Sequence, residues 1–200
     1  MEESNSVAGQ VLLLGGRDEQ RVGLSTVHLV DLATGVCTPQ AAPLENCAYF
    51  AAVRIPDGRV ACAGGLRLLA WAEVWGTPAN AAWTWSQLPA MSVGRHGSCG
   101  CVMSDGRYVV LGGESNSRYT SSCEALMVDS DEHWHSLSPM HHARCYFACV
   151  AVARCIIVAG GQVPLPSAEV YDESLNRWIQ LPCGLPGGNG YLEAMGSALL

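Results

Sequence analysis

The sequence predicts an all-β repeat fold in which four antiparallel units of about fifty residues stack and share a core. Three observations predict it. Gly-Gly doublets stand at Gly15-Gly16, Gly64-Gly65, Gly112-Gly113 and Gly160-Gly161, spaced by 49, 48 and 48 residues. Each closes a short apolar run: VLLL, RVACA, RYVVL and CIIVA. Trp85, Trp134 and Trp178 follow in phase, each with a leucine three positions later, at Leu88, Leu137 and Leu181. Gly-Gly alone is common, but its register with a strand-like run four times over is not. No stretch keeps a helical period.

The first strand of each unit is small, as in CYFACVAV at 145–152. Innermost strands crowd together and leave no room for bulky groups. A hairpin follows, marked by Asp57-Gly58-Arg59 and Asp105-Gly106-Arg107, with Ala8-Gly9-Gln10 in the matching place of the first unit. The fourth unit, VARCIIV, is one residue shorter here. The second strand ends at the doublet, where glycine allows backbone conformations and close approaches that a side chain blocks. The third strand reads SAEVYD at 167–172, and the fourth carries the tryptophan. In the first unit Cys37 takes that place, since VDLATGVC aligns with YDESLNRW. One such sheet cannot cover its own apolar faces, but sheets packed face to face around an axis can, with Trp filling the gap between neighbours.

Hydrophobic residues make up 49% of the chain and charged ones 14%, which suits a large buried core and excludes general disorder. The formal net charge of -7 repels a phosphate backbone, so nucleic acid is not an expected partner. No apolar run reaches membrane-helix length and the opening MEESNSVAGQ is unlike a signal peptide, so a cytoplasmic protein with no membrane partner is expected. The ten cysteines are accordingly expected to be reduced thiols.

The pattern of apolar strand, Gly-Gly, Tyr-Asp and Trp, clearest in CIIVAGGQVPLPSAEVYDESLNRW at 155–178, resembles the kelch repeat family. The resemblance implies a kelch β-propeller of four blades, each of four antiparallel strands, forming either a small closed ring or part of a larger propeller. The whole of 1–200 is then one domain, with repeats at approximately 8–42, 43–89, 90–138 and 139–181. Residues 187–200 are the candidate inner strand that completes the first blade and closes the ring. Binding is expected on the loops between second and third strands and on the loops leading into the innermost strand.

Met91-x-x-x-Arg95 and Met140-x-x-x-Arg144 precede the inner strand, with Cys47 at the arginine position of the second repeat. In family members that read acidic peptides, this arginine lines the channel mouth. A guanidinium grips a carboxylate through two parallel hydrogen bonds, so Arg95 and Arg144 are candidate partner-binding residues; a structural role bonding loop carbonyls is the other reading. His96, His141 and His142 lie in the same lead-in loops, and Arg17, Glu114 and Arg118 lie in the variable loops after the doublets, RDEQRVGLS and ESNSRYTSS. Glu73, Glu124 and Glu169 recur before the Tyr-Asp position, with His28 in the first repeat, and recurrence in several blades argues for a structural role such as bonding loop amides.

Cys99-x-Cys101, Cys145-x-x-x-Cys149 and the nearby histidines raise the question of zinc. Cys101 and Cys149 both stand eleven residues before their doublets, where the second repeat has Val53, and Cys62 stands where other repeats have Leu13, Val110 and Val158. Cysteine that exchanges with valine and leucine packs as a small hydrophobe, so neither a metal nor another cofactor is expected. His133 and His135 flank Trp134 and should point to the opposite, solvated face. No catalytic motif occurs. The expected function is a protein-interaction scaffold or adaptor binding a protein or peptide, with ubiquitin-ligase substrate recognition and actin binding as the familiar roles. The alternative is an enzyme resembling a sugar isomerase, which a cluster of Arg, Glu and His at the channel mouth would favour.

Overall fold

The computed structural model describes residues 9–43, 48–66, 70–76, 84–162 and 167–182. Among them every regular element is a strand. The first sheet consists of β1 (Gln10–Leu14), β2 (Val27–Asp31) and β3 (Cys37–Pro39). The second is β4 (Ala51–Arg54), β5 (Val60–Ala63), β6 (Ala72–Trp75) and β7 (Trp85–Gln87). The third contains β8 (Cys99–Val102), β9 (Tyr108–Leu111), β12 (Cys123–Leu126) and β13 (His135–Leu137). Between β9 and β12 a separate hairpin stands out, β10 (Glu114–Ser115) with β11 (Arg118–Tyr119). The fourth sheet is β14 (Ala148–Val152), β15 (Cys155–Ala159), β16 (Ala168–Asp172) and β17 (Arg177–Gln180). All pairings are antiparallel between successive strands of a unit, an arrangement that fits blades of a β-propeller. The inner strand β8 lies beside both β4 and β14.

Four strands per sheet holds for the second, third and fourth units. The first sheet has three among the described residues, and the candidate closing strand 187–200 lies outside them.

Neighbouring sheets meet through alternate side chains. Ala61, Ala63, Ala72 and Val74 of the second sheet pack on Tyr108, Val110, Leu126 and Trp134 of the third. Val109, Leu111, Cys123 and Ala125 on the third sheet's other face meet Ile156, Val158, Tyr171 and Trp178 of the fourth. The tryptophans also tie sheets together: indole Nε1 of Trp85, Trp134 and Trp178 donates to the carbonyls of Ala41, Pro89 and Ser138, each at the end of the preceding unit. The in-phase tryptophan thus fills the gap and satisfies its one donor there.

The doublets turn the chain away from the second strand with both glycines at positive φ, 56° and 98° at Gly112 and Gly113. They also admit the next unit. Gly65 N and Gly113 N donate to the carbonyls of Arg95 and Arg144, and a Cβ on Gly112 would lie 2.6 Å from Arg144 O. The doublet is therefore a docking point for the following lead-in loop.

Two expectations about cysteine need correction. Cys99 of β8 and Cys149 of β14 are joined as a disulfide between inner strands of adjacent sheets, so not all ten thiols are reduced. Cys101 and Cys149 are also not structurally equivalent. Val53, Cys101 and Val150 pair with Ala61, Val109 and Ile157, each three residues before its doublet, so the shorter β14–β15 hairpin shifts the inner strand by one position. In a strand that shift turns Cys149 to the other face, where it meets Cys99.

Candidate functional site

Arg95 and Arg144 are fully buried. The Arg95 guanidinium donates to the carbonyls of Gly112 and Ser122 and to Glu124 Oε1 at 2.5 Å. Glu124 in turn accepts from the backbone amides of Ser92 and Val93 and from the Ser92 hydroxyl. Arg144 repeats the scheme on the carbonyls of Gly160 and Ser167 and on Glu169 Oε1 at 2.9 Å. Glu169 accepts from the amides of His141 and His142, and their Nδ1 atoms lie 3.0 and 3.3 Å from its oxygens. Burial pulls the pKa of Arg95 down, with Glu124 opposing it. Burial likewise works against the charge of Glu169, but the Arg144 guanidinium and the His141 amide outweigh it and hold the carboxyl below its ordinary range. The recurring Glu bonds loop amides as its phase suggests. These latches fasten each lead-in loop to the ends of its own second and third strands, and neither guanidinium reaches solvent.

These two loops meet the lead-in loop of the second unit in a rim. Gly97 N donates to Tyr49 O at 2.8 Å, and Tyr146 N donates to Gly97 O at 2.9 Å, so three successive lead-in loops join edge to edge. All three residues have left-handed backbone, with φ of 60°, 62° and 55° at Tyr49, Gly97 and Tyr146. For tyrosine that conformation is costly, and it is held by the bonds on both sides. The rings of Tyr49, His96 and Tyr146 pack against one another with centroids 5.5 to 6.5 Å apart. Burial, with smaller contributions from neighbouring Cys145, Tyr49 and Glu114, pushes the Tyr146 phenol up to about 12, so it stays protonated at neutral pH.

Three of the candidate residues join this rim. His96 and Glu114 exchange backbone hydrogen bonds, and His96 Nε2 lies 3.6 Å from Glu114 Oε2. Arg17, from the loop of the first unit, stacks over the Tyr49 ring at 4.9 Å and donates Nη1 to its hydroxyl at 3.0 Å. That loop is itself ordered by Asp18, whose carboxylate accepts from Val22 N and whose amide donates to Val22 O. Arg118 stands apart on the exposed β10–β11 hairpin, and His141 and His142 sit on the fourth unit's latch. His133 and His135 are exposed opposite buried Trp134, and among the described residues no three His, Cys, Asp or Glu side chains are grouped to hold a metal ion. Tyr49 and Tyr146 were missed as rim residues. Their signal was phase, since 49, 97 and 146 are one repeat position occupied by Tyr, Gly and Tyr.

The Kelch motif family model matches residues 143–184. Kelch-like protein 33 of Homo sapiens is 32% identical over 105 residues, covering 49% of this chain and 20% of that protein. An F-box/kelch-repeat protein of Arabidopsis thaliana is 34% identical over 93 residues, covering 42% of this chain and 19% of its own length. A second Arabidopsis thaliana F-box/kelch-repeat protein is 41% identical over 54 residues, or 24% and 14% of the two chains. The match thus spans a fifth or less of each of these relatives. With the in-phase doublets, the sheets they terminate and these likenesses together, the chain carries a Kelch motif at 143–184 and is similar to the kelch-repeat proteins.

Proposed function

We propose that the chain is a protein-interaction scaffold of the adaptor type, acting in the reducing cytoplasm, whose aromatic rim reads an acidic segment of a partner protein. The observation that carries this is Arg17. It is exposed, it is held over Tyr49 by stacking and a hydrogen bond, and among the described residues no carboxylate pairs with it. A guanidinium already oriented on a ring loses little freedom on meeting a carboxylate, and Tyr and Arg are the side-chain types that concentrate binding energy. Arg95 and Arg144 serve this reading indirectly, by fixing the loops that carry His96 and Tyr146. A closed propeller, completed by residues 187–200, is the assembly in which we expect the rim to work.

The enzyme alternative has one observation in its favour, the approach of Arg17, His96 and Glu114 at the rim. Against it, the Tyr49 ring contacts both Arg17 and His96, so an aromatic side chain already stands against each of the groups that would have to meet a sugar.

Fluorescence anisotropy with labelled Asp/Glu-rich peptides, against the same peptides carrying Asn/Gln, tests the proposal. Arg17→Ala is expected to weaken the acidic peptides by about tenfold or more, the scale of one charged hydrogen bond, while His133→Ala changes nothing. Equal binding of acidic and amide peptides, or an unaltered Arg17→Ala, would remove the acidic-segment reading.

A further inference from the structure

The Cys99–Cys149 disulfide lies just beneath the rim. Cys99 follows His96 and Gly97 by three and two residues, and Cys149 follows Tyr146 by three. It therefore joins the two inner strands whose lead-in loops meet through the Gly97–Tyr146 hydrogen bond. The other cysteines of this interface differ chemically. Burial pushes the Cys101 and Cys123 thiols up to about 12, which leaves them protonated and inert. Cys99 is half-buried, whereas Cys149 is 8% exposed, so Cys99 is the residue of the pair nearer solvent. Among the described residues the second sheet offers Ala51 and Val53 to the third, and the one-residue shift of β14 is what brings Cys149 onto the face that meets Cys99.

We propose that Cys99 and Cys149 form a reversible redox staple, exchanging with a low-molecular-weight thiol–disulfide couple of the glutathione class, that sets how firmly the His96 and Tyr146 loops are held together. A small thiolate attacks Cys99 Sγ, the S–S bond breaks, and Cys149 leaves as thiolate and takes a proton from water. A second small thiolate attacks the mixed disulfide and frees Cys99, which is protonated in turn. Two electrons pass from the two small thiols, which leave as their disulfide, to the protein pair. The oxidised couple reverses each step. The inference concerns the loops themselves and holds whatever the rim binds.

The test uses the whole chain equilibrated across a series of reduced-to-oxidised glutathione ratios, alkylated, and mapped by mass spectrometry. Hydrogen exchange is then followed over residues 92–98 and 141–147 in the two end states. Cys99 and Cys149 are expected to become alkylated together along one two-electron curve while Cys101 and Cys123 stay unmodified. The amides of Gly97 and Tyr146 should exchange about tenfold faster in the reduced protein, as expected of a local opening released from a cross-link. The double variant Cys99→Ala/Cys149→Ala should match the reduced protein in every buffer. A pair that stays bonded or stays free at all ratios overturns the exchange. Equal amide protection in both states overturns the coupling to the rim. Both readings come from the unmutated chain, so they stand even if the double variant does not fold.

Discussion

The first and third sheets carry the same signature and fare differently. β1, QVLLL, carries four apolar residues in a row, yet Val11 is 39% and Leu13 53% exposed, whereas every residue of β9, YVVL, is buried. The third sheet has an inner strand, an Arg–Glu latch, a tryptophan bonded to the unit before it and a lead-in loop seated on its doublet. The first has His28 at the glutamate position and Cys37 at the tryptophan position, and among the described residues nothing lies inside β1. Between it and the second sheet runs a cleft of about 850 Å³, lined by Leu12, Leu14, Leu29, Val60 and Trp75 among others. Burial in this architecture thus comes from what the neighbouring unit delivers, and strand hydropathy is only its precondition.

Paired substitutions sharpen or break that contrast, each read as a shift in urea unfolding of the whole chain. Arg144→Ala leaves the Glu169 carboxylate buried without its cation and should cost about 3–5 kcal/mol, while His28→Ala at the equivalent of Glu169 should stay within about 0.5 kcal/mol. Similar costs for the two would mean the latch does not set unit stability. Gly112→Ala combines positive φ with a backbone oxygen 2.6 Å from the new methyl and should cost about 3 kcal/mol. Gly16→Ala, with no atom within 4 Å, bears the conformational cost alone, about 1 kcal/mol. Equal losses would show that the doublets work through backbone shape and not through docking. The smallest contrast is Trp134→Phe, which forfeits the bond to Pro89 O and some packing for about 1–2 kcal/mol. Cys37→Ser at the exposed counterpart should be neutral within about 0.5 kcal/mol.

Much of this organisation was readable from the sequence because it is periodic. The doublets, strand order and tryptophans repeat at fixed intervals, and a period survives without knowledge of contacts. The Arg and Glu of the latch were both visible in phase, but their pairing requires that the lead-in loop and the third strand meet at one end of the sheet, which spacing does not encode. Spacing alone leaves Arg95 a surface role beside a structural one, whereas four hydrogen bonds and full burial hold it inside. The disulfide was hidden by a single missing residue. Counting back from the doublet put Cys149 level with Cys101, while the shorter hairpin puts it level with Gly100, on the opposite face.

The rim bonds linking Tyr49, Gly97 and Tyr146 have a consequence for how such a surface changes over time. Each unit contributes one backbone link and one side-chain position, so the rim is a string of interchangeable letters, here Tyr, Gly, Tyr. The letters are not independent. A Cβ at Gly97 would meet Cys145 Sγ at 2.5 Å and the Tyr146 ring at 2.9 Å, so the blank at one position is what lets its neighbour be written as tyrosine. Filling position 97 demands a compensating edit at 145 or 146, and a new specificity on this face is spelled two letters at a time.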